Sequence, residues 1–271
     1  KKRLGELNKG RFQEQRRVVK AENFNEKISN WDVSNVEYMN GLFHGAKSFN
    51  QDIGGWNVSN VTDMSEIFYD AESFNQDIGS WDVSNVWFMR STFQGAQKFN
   101  QNIGRWDVSK VTDMSYMFNR VGNIGFFNDR PEKLSKNWDY LKTKAPQHNN
   151  LGISGWDVSN VDDMKYMFNG ASCFNENISN WDVSSVTDMS HMFDGATSFF
   201  QEISNWDISN VEEMEGIFYT DDYFPDEFGN RFESQFKKWD LSNIMEGTRV
   251  FIHKGREIGA SFYNKTAPDF D

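Results

Sequence analysis

The chain has 271 residues and a formal net charge of −12, with 38% hydrophobic and 16% aromatic residues, among them 25 Phe and 10 Trp. That length permits a buried core, and so many aromatics exclude a disordered chain. A single Cys, Cys173, excludes an internal disulfide and a Cys-rich zinc site, and no apolar run approaches the ~20 residues of a membrane helix.

Residues 1–23 are basic, with eight Lys/Arg against two Glu in the first 20. Leu4, Leu7, Phe12, Val18 and Val19 lie amid this charge. They predict a capping helix over the end of the core, or a basic arm that docks on an acidic surface. The rest of the chain is more acidic than the total and should repel nucleic acid and anionic lipid.

A repeat follows over residues 24–245. Trp31, Trp56, Trp81 and Trp106 lie 25 residues apart, as do Trp156, Trp181 and Trp206. With each Trp as position 1, position 4 is Ser in all eight units, from Ser34 to Ser242. Position 9 is Met and position 13 is Phe in seven, from Met39 to Met214 and from Phe43 to Phe218. A unit this short cannot bury its own Trp, Val, Met, Phe and Ile, so neighbours must stack.

The expected fold is an α/β repeat solenoid, leucine-rich-repeat-like, with one short parallel strand and a short helix per coil. Ile28, Trp31 and Val33 fall at L-x-x-L-x-L spacing, which predicts the strand, with Asp32 on its outer face. Positions 9, 12 and 13 have i, i+3, i+4 spacing, which predicts about two helical turns. A preceding Thr or Asp suits an N-cap, and Gly-Ala at positions 15 and 16 suits a stop.

Two interruptions break the pattern. Residues 119–150 insert one full period, as a loop or as a decayed coil around Trp138. Residues 219–236 form a shorter bulge, and residues 246–271 leave the repeat as an expected C-terminal cap.

Polar columns are the candidate sites. Asp32, Asp82, Asp107, Asp157, Asp182 and Asp207 recur at position 2. Stacked carboxylates repel, so each should accept bonds from turn amides and from the Ser at position 4; a calcium row is the alternative. Asn25, Asn50, Asn75, Asn100 and Asn175 at position 20 predict a ladder to turn backbone groups. The Met column reads as core filling.

No catalytic motif, metal-ligand spacing or cofactor motif is present, so no enzyme, metal or cofactor is expected. Partner choice would then reside in the variable columns. Trp87 and Phe88 replace a Thr-Asp pair of sister units and are the candidate anchor, with Tyr38, Tyr116 and Tyr166 beside them as further contacts.

The motif F-N-Q-x-I-x-x-W-D-V-S-N-V-T-D-M-S-x-M-F-x-G-A resembles the BspA-like leucine-rich-repeat surface proteins, whose 25-residue unit is also known as the mycoplasma surface-lipoprotein repeat. The resemblance implies a right-handed leucine-rich-repeat-like solenoid on a secreted or cell-surface protein, associated with adhesion to matrix or host proteins, with no catalytic residues. Three functions stay in play. One is an adhesin-like protein-binding surface, another a structural part of an assembly such as a virus particle shell. The third is a calcium- or polysaccharide-binding solenoid.

Overall fold

The computed structural model describes residues 21–122, 151–220, 238–244, 248–253 and 256–259. The basic segment 1–20, the middle of each interruption (123–150 and 221–237) and the tail beyond 259 lie outside the described residues.

Each unit is a succession of tight turns. In the first, Val36 N–H donates to Val33 C=O, Leu42 to Met39, Ala46 to Phe43 and Phe49 to Ala46, at 2.9–3.1 Å. These are i+3→i bonds. The amides in between point to the next unit: Met39 N–H donates to Asp63 C=O, Gly41 to Ser65, Phe43 to Ile67 and Gly45 to Tyr69, at 2.7–2.9 Å. Alternate amides thus close turns within a unit or tie it to its neighbour, and the register repeats along the chain.

This pattern replaces the expected helix. Among the described residues the one helical element is a 3-10 turn, Ile153–Gly155. An α-helix would need every interior amide for its own i−4 carbonyl, but those at positions 9, 11, 13 and 15 are committed to the next unit. Positions 11 and 15 also adopt positive φ, as at Gly41 (65°), Tyr116 (59°), Tyr166 (56°) and Gly45 (70°). Left-handed residues at the third place of successive turns give the type II pattern. That ribbon still buries positions 9, 12 and 13, as in Met64, Ile67 and Phe68, which is why the sequence shows helical spacing.

The expected strand is displaced too. Trp31–Val33 carries no strand, and the parallel bridges fall at position 8: Tyr38↔Asp63↔Phe88↔Asp113↔Asp163↔Asp188↔Glu213. The Trp side chain is tied down differently. Its indole Nε1–H reaches an Ile carbonyl of the preceding layer, Trp56 to Ile28 at 3.2 Å and Trp106 to Ile78 at 3.0 Å. Asp32 and its sisters therefore sit on exposed turns rather than on a strand face.

Inside, one contiguous core runs from Ile28 to Val250. Phe43 stacks on Phe49 of its own unit at 3.9 Å between centroids and on Phe68 of the next at 5.6 Å. The position-20 Asn column forms the expected ladder. Asn50 N–H donates to Asn25 Oδ1, Asn75 to Asn50 and Asn100 to Asn75, each at 2.9 Å.

The first interruption leaves the stack intact. Trp106 and Trp156 are 6.4 Å apart, the same as Trp81 and Trp106. Met114 N–H donates to Asp163 C=O, and Asn119 Nδ2 to Asn169 Oδ1. The units of Trp106 and Trp156 are thus adjacent layers, and Trp138 lies outside the described residues. Residues 151–155 complete the first of these units: Ile153 C=O accepts the Trp181 Nε1–H at 3.1 Å, as Ile78 accepts that of Trp106.

That junction has its own fasteners. Glu176 stands where other units carry Gln, and its carboxylate accepts the amides of Leu151, Gly152 and Ile153. Burial raises its carboxyl above the ordinary glutamate value, against the pull of the three amides. Cys173 is buried there, donating to Gly122 C=O at 3.3 Å, and burial pushes its thiol up.

Beyond the second interruption, β1 (Phe218–Thr220) pairs in parallel with β2 (Arg249–His253), which pairs antiparallel with β3 (Arg256–Gly259). The register Phe218↔Phe251 continues the ladder of the preceding units.

Candidate functional site

The position-2 carboxylates are occupied locally. Asp32 Oδ1 accepts both the Ser34 amide (3.2 Å) and its hydroxyl (2.7 Å), and Asp82, Asp107, Asp157 and Asp182 repeat this with Ser84, Ser109, Ser159 and Ser184. Asp207 accepts the Ser209 amide at 3.0 Å. The hydroxyl and amide of the serine hold the Asp107, Asp182 and Asp207 carboxyls below the ordinary aspartate value. Each aspartate fastens its own turn. No group of three or more potential metal ligands occurs among the described residues.

Position 8 carries a second set of turn acceptors. Asp63, Asp113 and Asp188 each accept the amide two residues on, at 2.8 Å. Lys165 joins two of these layers, with Nζ 2.8 Å from Asp163 and 3.5 Å from Asp188. Burial raises the Asp163 carboxyl, opposed by Lys165, whose own ammonium is held up chiefly by its hydrogen bond to Asp163.

Against this polar background three large side chains stand out. Tyr38, Trp87 and Phe88 are 47%, 48% and 46% exposed, and no other large hydrophobic residue among the described residues is exposed. Tyr38 and Phe88 occupy one column, each bridged to Asp63 between them. Trp87 lies in the next column, where its amide donates to Thr62 C=O and its carbonyl accepts from Thr112. Main-chain pairing fixes the backbone at all three positions, and each side chain is about half exposed.

Tyr116 and Tyr166 belong elsewhere. Both lie at position 11 on left-handed backbone and stack on each other at 4.7 Å. His191 stacks on Tyr166 at 4.7 Å, and the Arg90 guanidinium sits 5.8 Å from the Tyr116 ring centre. Burial raises the Tyr166 phenol. These partly buried rings form a ladder along the stack, in a different column from the exposed trio.

One feature escapes a motif search. Columns 5 and 7 of the first three units border an open groove, lined by Asn35, Glu37, Asn60, Thr62, Asn85 and Trp87. The Asn of position 5 reads from sequence as turn chemistry. Its recurrence beside a column that changes from Glu to Thr to Trp was the signal available.

The family described as "Mycoplasma protein of unknown function, DUF285" matches residues 13–129 and again residues 136–257. The chain belongs to this family. The two DUF285 matches cover both sides of the first interruption, as expected of a repeat that resumes its register. Neither a curated protein nor a solved structure matches the chain. Among the described residues no helix is long and apolar enough to cross a membrane.

Proposed function

We propose that this DUF285 chain is a non-enzymatic, protein-binding solenoid, adhesin-like and displayed on a cell surface, whose contact patch is Tyr38, Trp87 and Phe88. The observation that carries the reading is the exposure of those three side chains where sister units bear Thr, Asp or Glu. Half-exposed aromatics on a rigid backbone lose little entropy on binding and bury large apolar area, the character of interface hot spots. The stacked register and the 25-residue period support the solenoid. The non-enzymatic reading is supported by the position-2 aspartates, each of which bonds the serine of its own turn through Oδ1.

The test is saturation binding of the purified chain to surfaces coated with extracellular matrix proteins. Wild type should bind at least one coating saturably. Trp87→Ala with Phe88→Ala should weaken that by about 2 kcal/mol or more, the scale of a hot spot. Saturable binding to none of the coatings would overturn the adhesin reading, and equal binding by the double variant would overturn the patch.

A further inference from the structure

The groove between columns 5 and 7 is separate from the aromatic patch except at Trp87, and its chemistry points to a second ligand. We propose that it binds a neutral glycan chain lying along the stack, with Trp87 as the stacking platform.

The lining is dominated by acceptors. Asn60 Nδ2 donates to Ser34 C=O at 2.7 Å, and Asn85 Nδ2 to Ser59 C=O at 2.9 Å. Asn160 and Asn210 repeat this with Ser109 and Ser184 at 2.8 and 2.7 Å. These bonds anchor each carboxamide nitrogen to the scaffold and so fix its oxygen. Lys110 Nζ donates to Asn85 Oδ1 at 2.7 Å, so this oxygen already takes a donor arriving along the column. The Thr62 hydroxyl is likewise spent on Glu37 C=O at 3.1 Å, which leaves its lone pairs.

A row of fixed acceptors suits a ligand dense in hydroxyl donors. It does not suit an extended peptide, whose carbonyls would lack donors, and uncompensated polar groups are costly to desolvate. Charge narrows the class further. Glu37 in the groove, Glu212 and Glu213 in the second recess, and a net charge of −12 disfavour an acidic polymer.

Geometry supports a chain rather than a single sugar. Asn35, Asn60 and Asn85 line it from three successive layers, and the same columns line a second, separate recess through Asn210, Glu212 and Asn243. Polar groups therefore recur once per layer, at about one strand spacing of ~4.8 Å, close to the advance of one pyranose along an extended chain. Trp87 offers the flat apolar face that the C–H side of a pyranose packs against.

The full chain can be run through native gels containing hydroxyethyl cellulose, with polygalacturonate gels as the anionic comparison. The neutral polymer should retard wild type. Trp87→Ala and Asn60→Ala should each raise the dissociation constant about tenfold, equivalent to about 1.4 kcal/mol. Phe88→Ala and Tyr38→Ala, which touch the protein-binding patch and not the groove, should be retarded like wild type, so the two readings fail separately. Melting curves confirm that each variant is folded; should Asn60→Ala melt early, the half-exposed Trp87 decides. No retardation of wild type, equal retardation by polygalacturonate, or undiminished retardation of Trp87→Ala would overturn the proposal.

Discussion

The outward columns 7 and 8 of the first three units and of the last three share one backbone and differ in chemistry. In the first three they hold the aromatics Tyr38, Trp87 and Phe88 beside Glu37 and Asp63; from Asp162 onward they hold no aromatic and carry Asp163, Asp188, Glu212 and Glu213. Yet Trp87 N–H donates to Thr62 C=O at 2.9 Å, and Glu212 N–H donates to Thr187 C=O at 2.9 Å. The ladder is made of main-chain atoms, so these side chains can change from aromatic to acidic without altering it. The inward columns have no such freedom, because there the side chains themselves fill the space between layers.

That difference is broken most severely from the inside. Phe93 is fully buried between Phe68 (5.5 Å) and Phe118 (5.7 Å) and against Phe99 (4.0 Å). Phe93→Ala should destabilise by about 3–5 kcal/mol, the cost of an unfilled aromatic site. Denaturant melts would show it as a lower midpoint. A loss under about 1 kcal/mol, the usual range of a surface change, would mean that layers collapse freely onto the gap.

The junction at residues 122 and 151 gives the next largest effect. Glu176→Gln presents an amide nitrogen to one of three amide donors, orphaning a buried N–H at a cost of about 1–3 kcal/mol. The same Glu-to-Gln exchange is what the ordinary units carry, as at Gln76, which donates to Asn50 Oδ1. A neutral or stabilising result would show that the amides of Leu151, Gly152 and Ile153 need no carboxylate.

Much of this was legible in sequence, and the failures have physical causes. The Trp, Met and Phe columns follow from the period alone, because only a stack buries them. The Asp-to-Ser and Asn-to-Asn bonds follow from the need to satisfy turn amides in a periodic chain. The helix did not follow. Turns with a left-handed third residue bury positions 9, 12 and 13 as a helix does, and Tyr116, Tyr166 and His191 hide that backbone in residues other than glycine. Gly41 and Gly216 at position 11, with Gly45 and Gly95 at position 15, were the available warning. Trp87 and Phe88 were visible as departures from the repeat, whereas Tyr116 and Tyr166 read as contacts because their stacking on neighbouring layers leaves no trace in a single unit.

The turn fasteners should show in pH, with opposite signs at two places. Asp107, Asp182 and Asp207 titrate below the ordinary aspartate value in the folded chain. Their stabilisation is complete above that ordinary value and is lost as pH falls through the lowered one. Glu176 is raised, so the folded chain binds its proton more tightly than the unfolded one. Its contribution is therefore most favourable below the ordinary glutamate value and declines as pH rises through the raised one. Asp107→Asn, Asp182→Asn and Asp207→Asn together should flatten the acid limb of the melting curve by lowering the melting temperature slightly at pH 7 and leaving it nearly unchanged in acid. The chain already tolerates this exchange: Asn57 holds the Ser59 amide at 3.1 Å and its hydroxyl at 2.8 Å. An unaltered acid limb would show that the serines do not discriminate the charged carboxylate.

The smallest expected effect on stability is also the most informative about function. Trp87 and Phe88 are each about half exposed, and their amides and carbonyls stay in the ladder whatever side chain is attached. Replacing both by Ala should move the folding free energy by no more than about 0.5 kcal/mol, as at ordinary surface positions. Exposed apolar area of this size brings the fold little, which is what the proposed contact patch requires. Calorimetry of the double variant separates the cases. An unchanged melting temperature leaves the pair as contact surface. A drop of several degrees would place the two rings in the internal packing of the stack, and the contrast between outward and inward columns would fail at its most exposed point.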